Sequence, residues 1–217
     1  MEKSKIMHHM HEVGLVPVLR ASSAEEAIKI ADAIVSGGVN ILEVTMTVPG
    51  AIHVIEQLAS HHGDKLLLGA GTVLDSETAR SCLLAGAQFI VSPALDLRTI
   101  EMCRRYGVPI MPGALTPTEI VAAWQAGADV VKVFPCSALG GAKYLKALQG
   151  PLPQIQLVPT GGVSLSTAEE FLAAGAFALG VGGDLVDSKA AREGRIEVIT
   201  ENARKYVAIV KKFRGAN

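Results

Sequence analysis

A lysine stands in the middle of the apolar, β-branched run VVKVFP at residues 130–135, and a glutamate, Glu43, stands in the equally apolar run ILEVT at residues 41–45. Charged side chains are rare in such runs because burial takes an ion out of water. Two chemistries are open to Lys132 there. Desolvation disfavours the charged form of an amine, and a neutral amine is a nucleophile toward carbonyl carbon. Alternatively, the ammonium snorkels or pairs with a carboxylate for structural reasons. Carbonyl attack also needs a group that moves protons, and Glu43 is the candidate, with a plain Lys132–Glu43 ion pair as the competing reading.

Both residues need strands to aim them. In a strand, alternation puts Val130, Lys132 and Phe134 on one face, with Val131 and Val133 on the other, and gives Ile41, Glu43 and Thr45 a common face. The run GAGT at 69–72 adds glycines that let a ligand approach the backbone, and Thr72 offers a hydroxyl and an N–H. Thr72 also reads as an ordinary β-former. The glycine pairs of VPTGG (158–162) and GVGG (180–183) stand where barrels form a phosphate site from backbone amides and a helix N-terminus. Taken singly, each is only a turn.

Apolar runs recur at 16–20, 40–46, 66–73, 89–93, 109–115, 130–135, 156–162 and 178–183. Between them lie segments of helical periodicity such as SAEEAIKIADAIVSGG, DSETARSCLLAGA, TPTEIVAAWQAGA and STAEEFLAAGA. Each opens on Ser, Thr or Asp and closes on glycine, at Gly37-Gly38, Gly86, Gly127 and Gly175. Eight strands alternating with helices pair in parallel and close into a (β/α)8 barrel, here with an additional N-terminal helix. A doubly wound open sheet is the alternative, disfavoured because LRASSAEEA follows the first strand where a dinucleotide fingerprint would stand. Residues 1–217 are expected to form one barrel domain.

Composition excludes several functions. Hydrophobic residues make up 49% of the 217 and charged residues 19%, which rules out a disordered chain. The formal net charge is −1, and no basic cluster exceeds Lys211-Lys212, so nucleic acid is not an expected partner. The longest apolar stretch, residues 171–183, falls short of the roughly 20 residues a membrane span needs. The leading segment MEKSKIMHHMHEVG lacks an apolar core, so a secretory signal is not expected and a cytoplasmic location is. Cys82, Cys103 and Cys136 lack metal-ligand spacing and read as reduced, structural thiols.

The motifs LEVT, GAGTVL, FIVSP, VKVFP and PTGGV, in this order and spacing, resemble the class I aldolases that cleave 2-keto-3-deoxy-6-phosphogluconate (KDPG) and 4-hydroxy-2-oxoglutarate (KHG). The resemblance runs nearly end to end. It implies that Lys132 forms a Schiff base with the keto carbon and that Glu43 relays protons through water. It further implies that Thr72 holds the pyruvate-derived carboxylate, with Pro93 and Phe134 shaping the pocket. Gly161, Gly162, Gly182 and Gly183 would donate backbone N–H groups to a distal phosphate, and Arg20 would meet one anionic end of the substrate. No metal or cofactor is implied, and the expected assembly is a homotrimer.

Two departures from the family pattern stand out. Thr47 occupies the place of an arginine in the pattern Glu-Val-Thr-x-Arg-Thr, and Gly183, followed by Asp184, stands where many members carry a serine. A hydrogen bond to a charged group is worth about 1.5–3 kcal/mol, so losing the serine hydroxyl weakens preference for a phosphorylated substrate. Activity on both the sugar-acid phosphate and hydroxyoxoglutarate is therefore expected.

Other residues invite and lose functional readings. His8, His9 and His11 read as solvated histidines of a leading helix, and His61-His62 as part of a polar loop. Cys136 follows the lysine motif and reads as an oxidation-sensitive neighbour rather than a nucleophile. Trp124 reads as packed in a helix, and Ser92 as a ligand contact or a turn cap. The rival functions are a phosphate-binding epimerase, which lacks a second acidic group in any predicted strand, and a non-catalytic binding protein, which has no use for both Lys132 and Glu43.

Overall fold

The computed structural model of the chain describes residues 2–215. Every apolar run of the sequence carries a strand, and every strand residue is buried, as expected of parallel strands covered on both faces. In chain order the strands are β1 (Leu15–Leu19), β2 (Ile41–Thr45), β3 (Leu67–Gly71), β4 (Phe89–Val91), β5 (Ile110–Met111), β6 (Gly113–Ala114), β7 (Val131–Val133), β8 (Leu157–Pro159) and β9 (Leu179–Val181). The helices are α1 (Lys3–Val13), α2 (Ala24–Ser36), α3 (Ala51–His62), α4 (Ser76–Leu84), α5 (Leu97–Arg105), α6 (Pro117–Gln125), α7 (Ala142–Gln149), α8 (Ala168–Ala173), α9 (Ser188–Arg192) and α10 (Glu197–Gly215).

All strand pairs are parallel. One sheet runs β5-β4-β3-β2-β1-β9, and a second runs β6-β7-β8. The result is a parallel α/β fold whose strands form a half-barrel. The run 109–115, expected as one strand, is two. Pro112 divides it, having no N–H to give a ladder, and its carbonyl accepts from Lys132 N at 2.9 Å. On the other flank, a single bridge between Thr160 and Gly180 links β8 to β9.

Helix starts follow the expected chemistry at three of the four quoted segments. Ser23, Asp75 and Thr116 cap α2, α4 and α6, the last in a reciprocal capping box with Glu119. Thr167 at the start of α8 makes no such cap, because its hydroxyl instead donates to the Gly162 carbonyl at 2.9 Å. Trp124, expected to pack, is 43% exposed on α6. The buried face of α6 is made by Ile120 and Ala123, and a residue next to Ala123 points elsewhere.

His61 and His62 are not in a loop but are the last two residues of α3. His8 and His11 are exposed as expected, whereas His9 Nε2 lies 3.0 Å from Asn40 Oδ1. No described helix is long and apolar enough to cross a membrane.

Candidate active site

Glu43 sits at the centre of β2, in register with Val18 of β1 and Gly69 of β3. Lys132 sits at the centre of β7, in register with Gly113 of β6 and Val158 of β8. The two belong to different sheets, yet Lys132 Nζ lies 3.8 Å from Glu43 Oε1. Their residues are 5% and 1% exposed. At that separation they attract as ions without forming a hydrogen bond, and among the described residues Oε1 has no hydrogen-bond partner.

A buried carboxylate oxygen without a partner is costly, which is why such groups cluster at functional sites. Burial pushes the Glu43 carboxyl above the usual carboxylate range, opposed by the positive charges of Lys132 and Arg20. Gly71 is what makes room for it. A Cβ on Gly71 would stand 2.6 Å from Glu43 Oε1 and 2.7 Å from its Cδ. The glycines of GAGT thus admit protein groups, Glu43 at Gly71 and the Phe89 ring at Gly69, where the sequence suggested a ligand.

Beside this pair the backbone is strained. Thr72 has φ of +56°, a left-handed conformation in a β-branched residue, which costs on the order of 1–3 kcal/mol and persists where surrounding structure enforces it. Phe134 connects the pair to a second region, its ring centroid 5.2 Å from Lys132 Nζ.

That second region is a cavity of about 450 Å³ beyond the C-terminal ends of β1, β7, β8 and β9. Arg20, Phe134, Gly161, Gly162, Gly182 and Gly183 all line it. Among the described residues, the N–H groups of these four glycines donate to nothing, and no ion pair or hydrogen bond engages Arg20. Gly161 and Gly162 have φ of +91° and +80°, so two consecutive left-handed residues turn the chain here. Of the expected helix N-termini, that of α9 reaches them, since its first residue Ser188 lines the cavity. Short α8 begins beyond the turn, and Asp187 caps α9 by accepting from Lys189 N and Ala190 N.

The structure therefore groups the sequence candidates in two sets joined by Phe134. Lys132 and Glu43 lie beside Thr72, while Arg20 and the four glycines lie around the cavity. Thr47, Thr72 and Pro93 do not line the cavity. Thr47 bonds Thr45 through the hydroxyls at 2.7 Å, and Thr45 in turn donates to the Leu19 carbonyl at 3.1 Å, next to Arg20. Pro93 presses its backbone on Gly113, the residue paired with Lys132, where a Cβ would stand 2.2 Å from the Pro93 carbonyl.

Ser92 is buried and caps a turn, accepting from Ala94 N at 3.3 Å. Cys136 is buried too, and burial pushes its thiol up to about 11, which disfavours the reactive thiolate. The sequence reading misses Thr160 and the partners of Asp184, though it names Asp184 itself. Thr160, 8% exposed, lines the cavity and fits only because Gly180 has no Cβ, which would stand 2.0 Å from its hydroxyl. Asp184, also lining the cavity, is held by the Tyr206 hydroxyl at 2.6 Å and the Leu165 N–H at 3.1 Å. Spacing carries no signal for a partner 22 residues away in α10.

A parallel α/β frame with a buried amine–carboxyl pair beside a glycine-rimmed cavity defines the class as an enzyme. Comparison with known proteins supplies the family. A family profile described as KDPG and KHG aldolase matches residues 6–202, and the chain belongs to that family; it is an aldolase. The 2-dehydro-3-deoxy-phosphogluconate aldolase of Treponema pallidum is 39% identical over 168 residues, covering 77% of this chain and 80% of that protein. The KHG/KDPG aldolase of Escherichia coli K12 is 36% identical over 194 residues, covering 89% and 90%. Among solved structures, the KDPG aldolase of Legionella pneumophila, with pyruvate captured at low pH as a covalent carbinolamine, superposes with a TM-score of 0.85 at 30% identity, covering 92% of this chain and 96% of that one.

Proposed function

We propose that this chain is a class I aldolase that cleaves KDPG to pyruvate and glyceraldehyde 3-phosphate, and KHG to pyruvate and glyoxylate, through a Schiff base on Lys132. The observation that carries the proposal is the Lys132–Glu43 pair, buried and 3.8 Å apart across two sheets. The covalent pyruvate adduct of the Legionella relative supports the same chemistry.

In the proposed cycle the Lys132 amine attacks the keto carbon to give a carbinolamine, which loses water to a protonated imine. Glu43, with an unpartnered oxygen, relays the protons of these steps through water. Removal of the C4 hydroxyl proton breaks the C3–C4 bond, releases the aldehyde and leaves the electron pair in the imine as an enamine. Protonation at C3 and hydrolysis then free pyruvate and restore Lys132. The protonated imine is the electron sink, so the cycle as written asks for no metal or cofactor.

The strained Thr72 is assigned to the pyruvate-derived carboxylate, with Pro93 and Phe134 shaping the pocket around the imine. Thr47 and Arg20 stand at the substrate's anionic ends, Thr47 held by Thr45 and Arg20 without another partner. The uncommitted N–H groups of Gly161, Gly162, Gly182 and Gly183 are assigned to a distal phosphate. These placements fit one (β/α)8 barrel domain, closed where Pro112 joins β5 to β6 and where Thr160 meets Gly180, with α1 as the additional N-terminal helix. We take the assembly to be a homotrimer in the cytoplasm. The exposed apolar residues Leu74, Leu97 and Trp124 supply surface for subunits to cover.

The direct test is to incubate purified protein with KDPG or KHG and follow pyruvate release. Equimolar pyruvate and aldehyde from each substrate is the expected result. Folded protein that releases neither from either substrate overturns the proposal.

A further inference from the structure

Away from the strand ends, three side chains that can ligate a metal meet where α3 ends against α2. Asp32 lies on α2, while His61 and His62 close α3. One ligand atom from each of the three lies within 4.8 Å of the others. His62 Nε2 and Asp32 Oδ1 are already 3.0 Å apart, and the His62 side chain is only 12% exposed against 47% for Asp32. His61 is exposed, its ring edge-on to that of His62 with centroids 4.7 Å apart.

Two ligands of a tetrahedral zinc, each about 2.0–2.1 Å from the metal, stand roughly 3.3 Å apart. The His62–Asp32 spacing fits that without rearrangement. His61 has to close by at most about 1.5 Å to reach the same spacing, which an exposed side chain achieves by rotation. Two imidazoles and a carboxylate suit zinc and its neighbours among the divalent transition metals, whereas magnesium and calcium take all-oxygen sets. Lys29, one turn before Asp32, pairs with Glu25 at 2.7 Å and leaves Asp32 to His62.

We infer that Asp32, His61 and His62 bind one zinc-class divalent cation that pins the C-terminal end of α3 to α2. Water fills the fourth position. The site lies apart from the Lys132–Glu43 pair and plays no part in the aldol chemistry. Its role is to stabilise the helix pair, because an ion that binds only the folded chain raises its stability by mass action.

The test is zinc titration of the full chain by calorimetry, paired with thermal melts with and without zinc. Exposed His8 and His11 on α1 form a rival chelator, so the double variant H8A/H11A accompanies His61→Ala and Asp32→Asn. His61→Ala removes an exposed ring and leaves the fold intact. One zinc per chain is expected, retained in H8A/H11A and bound at least about tenfold more weakly in both His61→Ala and Asp32→Asn, since even outer partners of metal ligands are worth 10- to 100-fold. The zinc-dependent rise in melting temperature should disappear with His61→Ala. Absence of binding to the wild-type chain, unchanged affinity in His61→Ala or Asp32→Asn, or loss confined to H8A/H11A overturns the inference.

Discussion

The Lys132–Glu43 region and the cavity at the ends of β8 and β9 lie on either side of Phe134 and are built on opposite plans. The first is buried and crowded: two charged side chains, a glycine whose missing Cβ is occupied by carboxylate, and a strained Thr72. The second is open, and its donors are backbone N–H groups. At Gly182 and Gly183 an added Cβ would meet nothing within 4 Å. On the proposed roles, chemistry rests where each atom is fixed by its neighbours, and specificity rests at a rim that is sterically free at Gly182 and Gly183. The first region should fail abruptly when altered, and the second should retune.

The sharpest break is expected at Lys132. Replacement by arginine keeps the cation but removes the nucleophile, so kcat/KM should fall by about four orders of magnitude or more, as for other covalent catalysts. Near-normal turnover of Lys132→Arg would mean that the pair is only structural. Next comes Glu43→Gln, expected to cost about 10²- to 10⁴-fold in kcat. Because burial raises the Glu43 pKa, its basic form is lost on acidification at higher pH than for an exposed glutamate. The acid limb of the wild-type pH–rate profile should thus lie above the usual carboxylate range, and Glu43→Gln should abolish it; an unchanged limb would assign the titration to another group.

A smaller effect tests the crowding itself. Gly71→Ala puts a methyl 2.6 Å from Glu43 Oε1, which should displace the carboxyl, lower kcat by about tenfold or more, and cost about 1–3 kcal/mol of stability from overpacking. Chemical denaturation and steady-state kinetics measure the two together. The mildest change is Gly183→Ser. It adds a hydroxyl in open space, so stability should hold, while the ratio of kcat/KM for KDPG over KHG should rise by about tenfold, the worth of one hydrogen bond to a charged group. No change in that ratio would place the phosphate away from Gly183.

The same contrast explains what was legible in the sequence. Lys132 and Glu43 announced themselves because a charge inside an apolar run breaks a local pattern, and burial bears that signal out. The parallel α/β class followed from the alternation of strands with helices. The division of residues 109–115 at Pro112 was visible as a proline yet easily read through, since apolar content continues on both sides. What the sequence could not disclose were contacts made only by folding: Glu43 in the space beside Gly71, Tyr206 on Asp184, and His62 turned from a presumed loop onto Asp32. Each joins residues whose spacing follows no helical or strand period.

The central claim is that Lys132 is a nucleophile, and borohydride reduction in the presence of pyruvate tests it most directly. Peptide mass spectrometry should find a reduced pyruvyl adduct on Lys132 alone. A folded chain that takes up no label, or carries it on another lysine, would contradict the account.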